Sequence, residues 1–467
     1  MEHTWELHYL QKLEVANATD GDVVVCSLST PPEETLSQLG KDRVSFVAPL
    51  SSRSEMEWLL RGLHLHPQVR HLVIYGEDQK AIGAALVALF EEGIDEKGRL
   101  PGSRGSLSPE LDRASVDSLR EHIELWDWRE KSLAEVGRDI LDLPSLPQQR
   151  EARSHPGIAI PERKPFASRK TSFPIYSSDV ADGWLQLLNL VMRIGTEKTT
   201  GRGDRLAEAL NAIVTIELSS EEEAPASFLD FSGDDLDEYY RRFTSRSRSG
   251  EARPGYGERL YDWDGLNQFE SAIDRLEQSM DTRSATLVLS DPNDMGSPHD
   301  APSILSATFN VVDQKLFGSF VLRSTDVYTD WPLEALSLIR LQRAAAARLG
   351  IDVGTAVFVV HSAHLYDCDW GRAQRVLGES FKRPTPLQVD PSGIFLFGND
   401  GGEARGMLLD HDAGTIFWED AFSNPEDLSW YIIDVMPWLL PQHMRYVGQE
   451  CAALMRAIRE GECYEQG

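Results

Sequence analysis

Two stretches, APSILSATFNVVDQKLFGSFVLRSTDVYTDWP (301–332) and GTAVFVVHSAHLYDCDW (354–370), decide the reading of this chain. Thr308–Val312 and Leu316–Leu322 have strand character, and Asp313-Gln314 between them is a turn signal. The second strand runs into a polar cluster, Arg323-Ser324-Thr325-Asp326. Pro332 then opens a helix whose apolar positions include Leu336, Ile339, Leu341 and Ala345. A further apolar strand, Ala356–Val360, delivers His361, His364 and Tyr366. Charged and hydrogen-bonding side chains gathered at strand ends are how a pocket for a small polar ligand is built.

The bulk numbers bound the rest. A chain of 467 residues holds two or three domains, each with its own core. It is 41% hydrophobic and 26% charged, with no apolar run of membrane-spanning length, so no membrane role is expected. MEHTWELHYL at the start lacks the basic-then-apolar pattern of a signal peptide. Cys26, Cys368, Cys451 and Cys463 show neither metal spacing nor a disulfide framework, which points to the cytoplasm and to no metal. A net charge of −29 argues against nucleic acid as a partner, yet locally concentrated arginines still suit a phosphate.

Residues 22–145 alternate strands (Val23–Val25, Val44–Ala48, Val69–Tyr75) with helices (Ser54–Leu63, Lys80–Glu92), the pattern of a small parallel or mixed α/β layer. Gly102-Ser103-Arg104-Gly105-Ser106 is either a phosphate loop or only a loop. From 146 to 172 the chain is irregular and basic, reading as an exposed linker. A new domain starts near Phe173 with the apolar helix Trp184–Ile194 and a glycine-containing loop bearing Lys198 and Arg202, which suits phosphate. Leu206–Ile216 passes from helix to strand, and 232–243 and 265–279 read as helices. Arg246, Arg248, Arg253 and Arg283 precede later elements, Arg283 just before the strand Ala285–Leu289. The tail from about 385 forms another α/β unit, with strands at Ile394–Phe397, Met407–Leu409 and Gly414–Trp418 and a helix over 440–460.

Several pieces stand in a telling order over Phe173–Leu377: the basic loop at 195–205, Tyr256-Gly257-Glu258-Arg259, Asn267-Gln268, Thr282-Arg283, Ala301-Pro302-Ser303, Arg323-Ser324-x-Asp326 and His364-x-Tyr366. This region resembles thymidylate synthase in its archaeal form. The resemblance implies an α/β (α+β) fold whose large mixed sheet pairs back-to-back in a homodimer, with phosphate-binding arginines from both protomers. It implies a pyrimidine deoxynucleoside monophosphate as ligand, and methylene-tetrahydrofolate or a related tetrahydropterin as donor of one carbon to ring carbon 5 after a thiolate adds to carbon 6. On that resemblance Arg323 binds the phosphate with Arg283 and Lys198 or Arg202, while Ser324, His364 and Tyr366 hold the nucleoside. The catalytic positions are Ser303, Asp326 and Glu334, with Asp326 orienting ligand or backbone.

The flanks, through VVVCSLS (23–29), HPQVRHLVIYGED (66–78), ALFEEGIDEKGRLPGSRGSLSPEL (88–111) and the C-terminal PQHMRYVGQECAALMRAIREGECYEQG, resemble the corrinoid-carrying component of the methyltetrahydromethanopterin:coenzyme M methyltransferase and its archaeal relatives. That divides the chain into 1–145, a linker at 146–172, the central domain at 173–380, and 381–467 packing with the first domain. Gly76–Leu89 lacks the histidine that holds cobalt in that component, so a corrinoid is not expected.

Two departures set the functional question. Ser303 stands where the family has its nucleophilic cysteine, and a hydroxyl without an adjacent base is a feeble conjugate nucleophile. His299 and Cys368 lie near in sequence to the pocket residues. Glu334 stands where synthases have asparagine; a carboxylate only accepts, which favours a ring offering an amino group, cytosine over uracil. Two functions follow: one-carbon transfer to a pyrimidine nucleotide, or a catalytically lapsed relative acting as nucleotide sensor or assembly protein.

Overall fold

The structure is a computed structural model and describes residues 14–17, 20–28, 30–39, 42–50, 52–78, 82–96, 98–101, 106–155, 160–200, 204–219, 224–245, 255–296, 301–381, 390–412 and 414–467. They fall into two compact units, Met1–Phe381 and Lys382–Gly467.

In the first unit, strands β1 (Glu14–Val15), β2 (Val23–Ser27), β3 (Val44–Pro49), β4 (His71–Tyr75) and β5 (Glu124–Asp127) form a sheet in the order β1-β3-β2-β4-β5. All neighbours are parallel except β1 with β3. The runs are apolar throughout because both faces are covered. Val24, Cys26, Phe46, Leu72 and Ile74 pack with Met56, Leu59 and Leu63 of helix Arg53–Leu65. Val23, Val25, Val47 and Val73 pack with Val136 and Ile140 of helix Leu133–Asp142.

The basic segment after this layer is not uniformly solvated. The guanidinium of Arg150 donates to the Leu63 and Val69 carbonyls, and Arg163 donates to those of Val191, Met192 and Gly195 at the end of helix Val180–Ile194. Orphan carbonyls at a helix end are natural acceptors for arginine. Composition alone reads such arginines as exposed.

The larger sheet comprises β6 (Thr171–Ser177), β7 (Thr196–Thr199), β8 (Arg205–Ile216), β9 (Thr286–Val288), β10 (Ile304–Val312), β11 (Lys315–Leu322), β12 (Thr325–Asp326) and β13 (Asp352–Tyr366). Its order is β6-β8-β13-β11-β10-β9, with β7 pairing β8 and β12 pairing β13. Leu206–Ile216 is strand throughout rather than helix then strand: it pairs with β6 on one side and β13 on the other, and Ala207, Ala209, Ala212, Val214 and Ile216 are buried. Tertiary pairing overrides the helix propensity of its alanines. The β10–β11 hairpin turns through Asp313 (φ 48°) and Gln314 (φ 60°), the paired positive φ of a tight hairpin turn.

Along β13, Ala356, Phe358, Val360, Ala363 and Leu365 are buried in the core that includes helices Val180–Ile194 and Trp331–Leu349. The opposite sheet face leaves Tyr176, Leu210, Ile213, Val288 and Val312 exposed. Helix Trp331–Leu349 has Pro332 in its first turn and ends at Gly350 in the left-handed region (φ 67°). It lies so close to β11 that a Cβ on Gly318 would meet Gln342 Oε1 at 2.5 Å and the Phe320 ring at 2.7 Å.

The second unit is a meander of β14 (Ile394–Asp400), β15 (Glu403–Leu409) and β16 (Ile416–Phe422). Phe395, Phe397 and Leu408 pack with Leu428 and Ile432 of helix Pro425–Val435 and Val447 and Leu454 of helix Pro441–Glu460. The terminal Tyr-x-Gln closes this core. Gln466 accepts from the Phe397 amide at 2.9 Å and donates to the Phe395 carbonyl at 2.6 Å, serving the edge of β14 as a partner strand would.

Candidate functional site

The start of β10, the end of β11, β12 and the end of β13 converge, because β10 and β11 are antiparallel neighbours while β11 and β12 both run parallel to β13. This carries Ser303, Arg323, Ser324, Asp326, His364 and Tyr366 to one end of the sheet, and helix Trp331–Leu349 adds Glu334.

Ser303 sits inside a directed hydrogen-bond chain. The Ile304 amide donates to the Tyr256 hydroxyl at 3.0 Å, which leaves that hydroxyl to donate to Ser303 Oγ at 3.0 Å. Ser303 donates to Glu334 Oε1 at 2.5 Å, and the Thr325 hydroxyl donates to Glu334 Oε2 at 2.7 Å. Glu334 is buried, 4% exposed. Burial, reinforced by the Glu334 charge, pushes the Tyr256 phenol up to about 12, so it is a donor at neutral pH. Ser303 therefore does have a carboxylate beside it. A serine proton is roughly nine units less acidic than a carboxylic acid's, so passing it to Glu334 costs on the order of 12 kcal/mol. The hydroxyl stays protonated.

Arg323 is exposed and folds back over this turn. Its guanidinium donates to the Pro302 carbonyl at 3.0 Å, the Ala301 carbonyl at 2.7 Å and Ser324 Oγ at 3.0 Å. Five N–H donors exceed these three acceptors, so among the described residues the group keeps capacity for an anion. Asp326 supports its own turn: Oδ1 accepts from the Tyr328 and Thr329 amides at 2.9 and 3.3 Å. Burial, then Asp369 and Asp330, push its carboxyl up to about 8. His364 and Tyr366 meet edge-to-face with ring centres 5.3 Å apart. Burial holds the His364 imidazole below its ordinary value against the pull of Asp330 and Glu208.

The remaining expected cations behave differently. Lys198 on β7 pairs with Glu208 of β8. Burial works to raise the Glu208 carboxyl, but Lys198 and the Ser362 hydroxyl outweigh it and hold it low. Arg283 is exposed and precedes β9, whose Thr286 faces Thr308 with Ser306 opposite Val288. That register sets Arg283 toward the far end of β10, away from Ser303, so one chain alone does not bring it to the pocket. Arg202, Arg246, Arg248, Arg253, His299 and the loop at 102–105 lie outside the described residues. Cys368 lies beyond Tyr366 with Sγ 3.8 Å from Asp369 Oδ2.

Sequence reasoning passed over Thr325 and Asp369, and it left Tyr256 inside a motif without a role. Tyr256 reaches the site from helix Tyr256–Tyr261, some fifty residues upstream, and nothing local to that motif signals its partner.

A family model described as Thymidylate synthase matches residues 183–396, and one described as PterinBD-DUF4346 matches residues 389–467. A protein of Methanothermobacter thermautotrophicus named "Putative thymidylate synthase" is 30% identical over 221 residues, covering 44% of this chain and 99% of that one. The chain belongs to the thymidylate synthase family. A protein of Methanosarcina mazei with the same name is 28% identical over 204 residues, 44% of this chain and 94% of its own length. The mixed sheet with helices on its buried face agrees with that fold. Within the family-matched region, the pocket end of the sheet carries a serine and a glutamate in direct contact.

Proposed function

We propose that the pocket binds a pyrimidine deoxynucleoside monophosphate without forming the covalent ring adduct. The carrying observation is the 2.5 Å hydrogen bond that commits the Ser303 proton to buried Glu334, beside an arginine with donors to spare. In this reading Arg323 takes the phosphate, and Ser324, His364 and Tyr366 face the sugar. Neutral His364 either donates or accepts, which suits a sugar hydroxyl. Glu334, an acceptor on both oxygens, favours a ring that donates an amino group, so cytosine over uracil. The protein then acts as a nucleotide sensor or assembly component. Apolar residues on the open sheet face, Leu210, Ile213 and Val288 among them, suit a second copy of the chain and hence a homodimer.

A second reading keeps one-carbon transfer to ring carbon 5, and the match of residues 389–467 to the PterinBD-DUF4346 family favours it. A methylene-tetrahydrofolate or related tetrahydropterin would supply the carbon and the hydride. This chain's own part would be to hold the nucleotide through Arg323 and to orient it through the Asp326 turn.

Titration calorimetry with dCMP and dUMP tests binding. The wild type should bind, and Arg323→Ala should lose tenfold or more, as expected for charge-assisted hydrogen bonds of about 1.5–3 kcal/mol. Equal affinity in the variant refutes the phosphate assignment. Tritium release from nucleotide labelled at carbon 5, with methylene-tetrahydrofolate present, separates the readings: release from the wild type would overturn the non-covalent one.

A further inference from the structure

The helix Trp370–Ser380 begins directly behind the pocket end of β13, and Arg372 in its first turn faces two ways. One arm, Nη1, donates to Asp369 Oδ1 at 3.0 Å. The other, Nη2, donates to Glu57 Oε1 at 3.0 Å and to the Ser106 carbonyl, both belonging to the first α/β layer. Glu57 is 2% exposed on helix Arg53–Leu65, and its Oε1 also accepts from the Ser108 amide at 2.8 Å. Asp369 is 2% exposed and stands behind Asp326. Glu57 and Arg372 are 315 residues apart in the chain yet form an almost fully buried pair.

A buried ion pair is costly to desolvate, so it stabilises little by itself, and breaking one side leaves an uncompensated charge. Its value here lies in what it connects. We propose that Arg372 is a positioning residue tying the first α/β layer to the nucleotide pocket, with Glu57 setting how much of its charge serves the Asp369–Asp326 pair. The link rests on the reading of the pocket as a nucleotide site. Asp326 shapes the turn that leads into helix Trp331–Leu349 and therefore into Glu334. The groups facing Asp326 are Asp330 from that turn, Asp369 from beyond β13, and His364 as its strand partner. Glu208 and Arg323 act on His364 in turn. Arg372 is the cation on Asp369, and Glu57 competes for it.

The signs are opposed. Glu57→Gln removes an anion and leaves Arg372 to Asp369, so Asp326 releases its proton at lower pH. Arg372→Gln removes the cation, the carboxylates repel more strongly, and Asp326 keeps its proton to higher pH. A merely structural contact would lower the melting temperature in both variants without opposed titration shifts.

The test follows the carbonyl infrared band of protonated Asp326 in the full chain, assigned by its loss in Asp326→Asn. Its midpoint should move by roughly half a unit or more in opposite directions in the two variants, with Arg372→Lys between wild type and Arg372→Gln. Unmoved midpoints, shifts of the same sign, or no Asp326 band in the wild type at about pH 6 would overturn the coupling. Calorimetry with dCMP and dUMP runs in parallel. Opposed shifts in a protein that binds neither nucleotide would sink the pocket reading and leave the coupling standing.

Discussion

Restoring the sulfur at position 303 should not by itself restore a nucleophile. In Ser303→Cys the thiol inherits the place of a hydroxyl that lies 2.5 Å from Glu334 Oε1, and Glu334 is buried. A longer C–S bond and a larger sulfur put the two charges at about 4 Å, where like charges in a protein-like medium repel by about 4 kcal/mol. That is close to three pKa units, which lifts a thiol from about 8.5 to above 11. Arg323 opposes this, but it is exposed and its charge is spread by solvent and by three acceptors of its own. Ser303→Cys should therefore ionise only above about pH 10, whereas Ser303→Cys with Glu334→Gln should ionise near or below the free value of about 8.5. Thiolate absorbance and the pH dependence of iodoacetamide alkylation at the introduced thiol measure both midpoints. A single variant that ionises at or below about 8.5 would refute the reasoning, since Glu334 would then exert no field on the site.

Other outcomes follow from the same geometry. Glu334→Gln supplies a donor as well as an acceptor, so the ratio of dUMP to dCMP affinity should rise by roughly tenfold or more, read by calorimetry. Gly318→Ala should destabilise by about 1–3 kcal/mol in urea unfolding, because its Cβ would meet the buried Gln342 amide, whose Nε2 already donates to the Leu316 carbonyl at 2.7 Å. His64 is 3% exposed against His155, and burial first, then His155 and nearby arginines, lower it to about 4. Its folded value lies below the unfolded one, so the folded state binds fewer protons between them. Stability should be full above about pH 6.5 and fall as the pH drops towards 4, by a few kcal/mol, with His64→Leu flattening the slope in unfolding midpoints.

The sequence made the centre of the fold readable because its signals are local. Alternation in Thr308–Val312 and Ala356–Val360, the turn at Asp313-Gln314 and the Pro332 helix start each depend on neighbours within a few residues. What stayed hidden depends on partners far away. Arg163 reads as a linker cation and instead closes a helix end some thirty residues on. β8 looks half helical until strands from both sides claim it. At the site, residue types were legible but their contacts were not. Ser303 and Glu334 each looked like an isolated departure, and only the packing of helix Trp331–Leu349 against the end of β10 puts one on the other.

That contact makes the two departures one change in physical terms. A thiolate at 303 and a carboxylate at 334 would place two anions in one buried wall, a costly arrangement at an effective dielectric constant of about 20. A thiol held protonated by the carboxylate would be inert, and a glutamate without the serine hydroxyl would leave one buried oxygen short of a donor. Serine with glutamate satisfies both: the hydroxyl gives its proton to Oε1, Thr325 serves Oε2, and Tyr256 donates in turn to the serine. Each hydrogen in the chain has an acceptor, and the wall is pre-organised without a charged nucleophile. Reversing only one of the pair should therefore be worse than reversing both. A double-mutant cycle on Ser303→Cys and Glu334→Gln should show a coupling of at least about 1 kcal/mol in unfolding free energy. Additive effects would mean the two side chains do not act on each other, and the non-covalent reading would lose its main support.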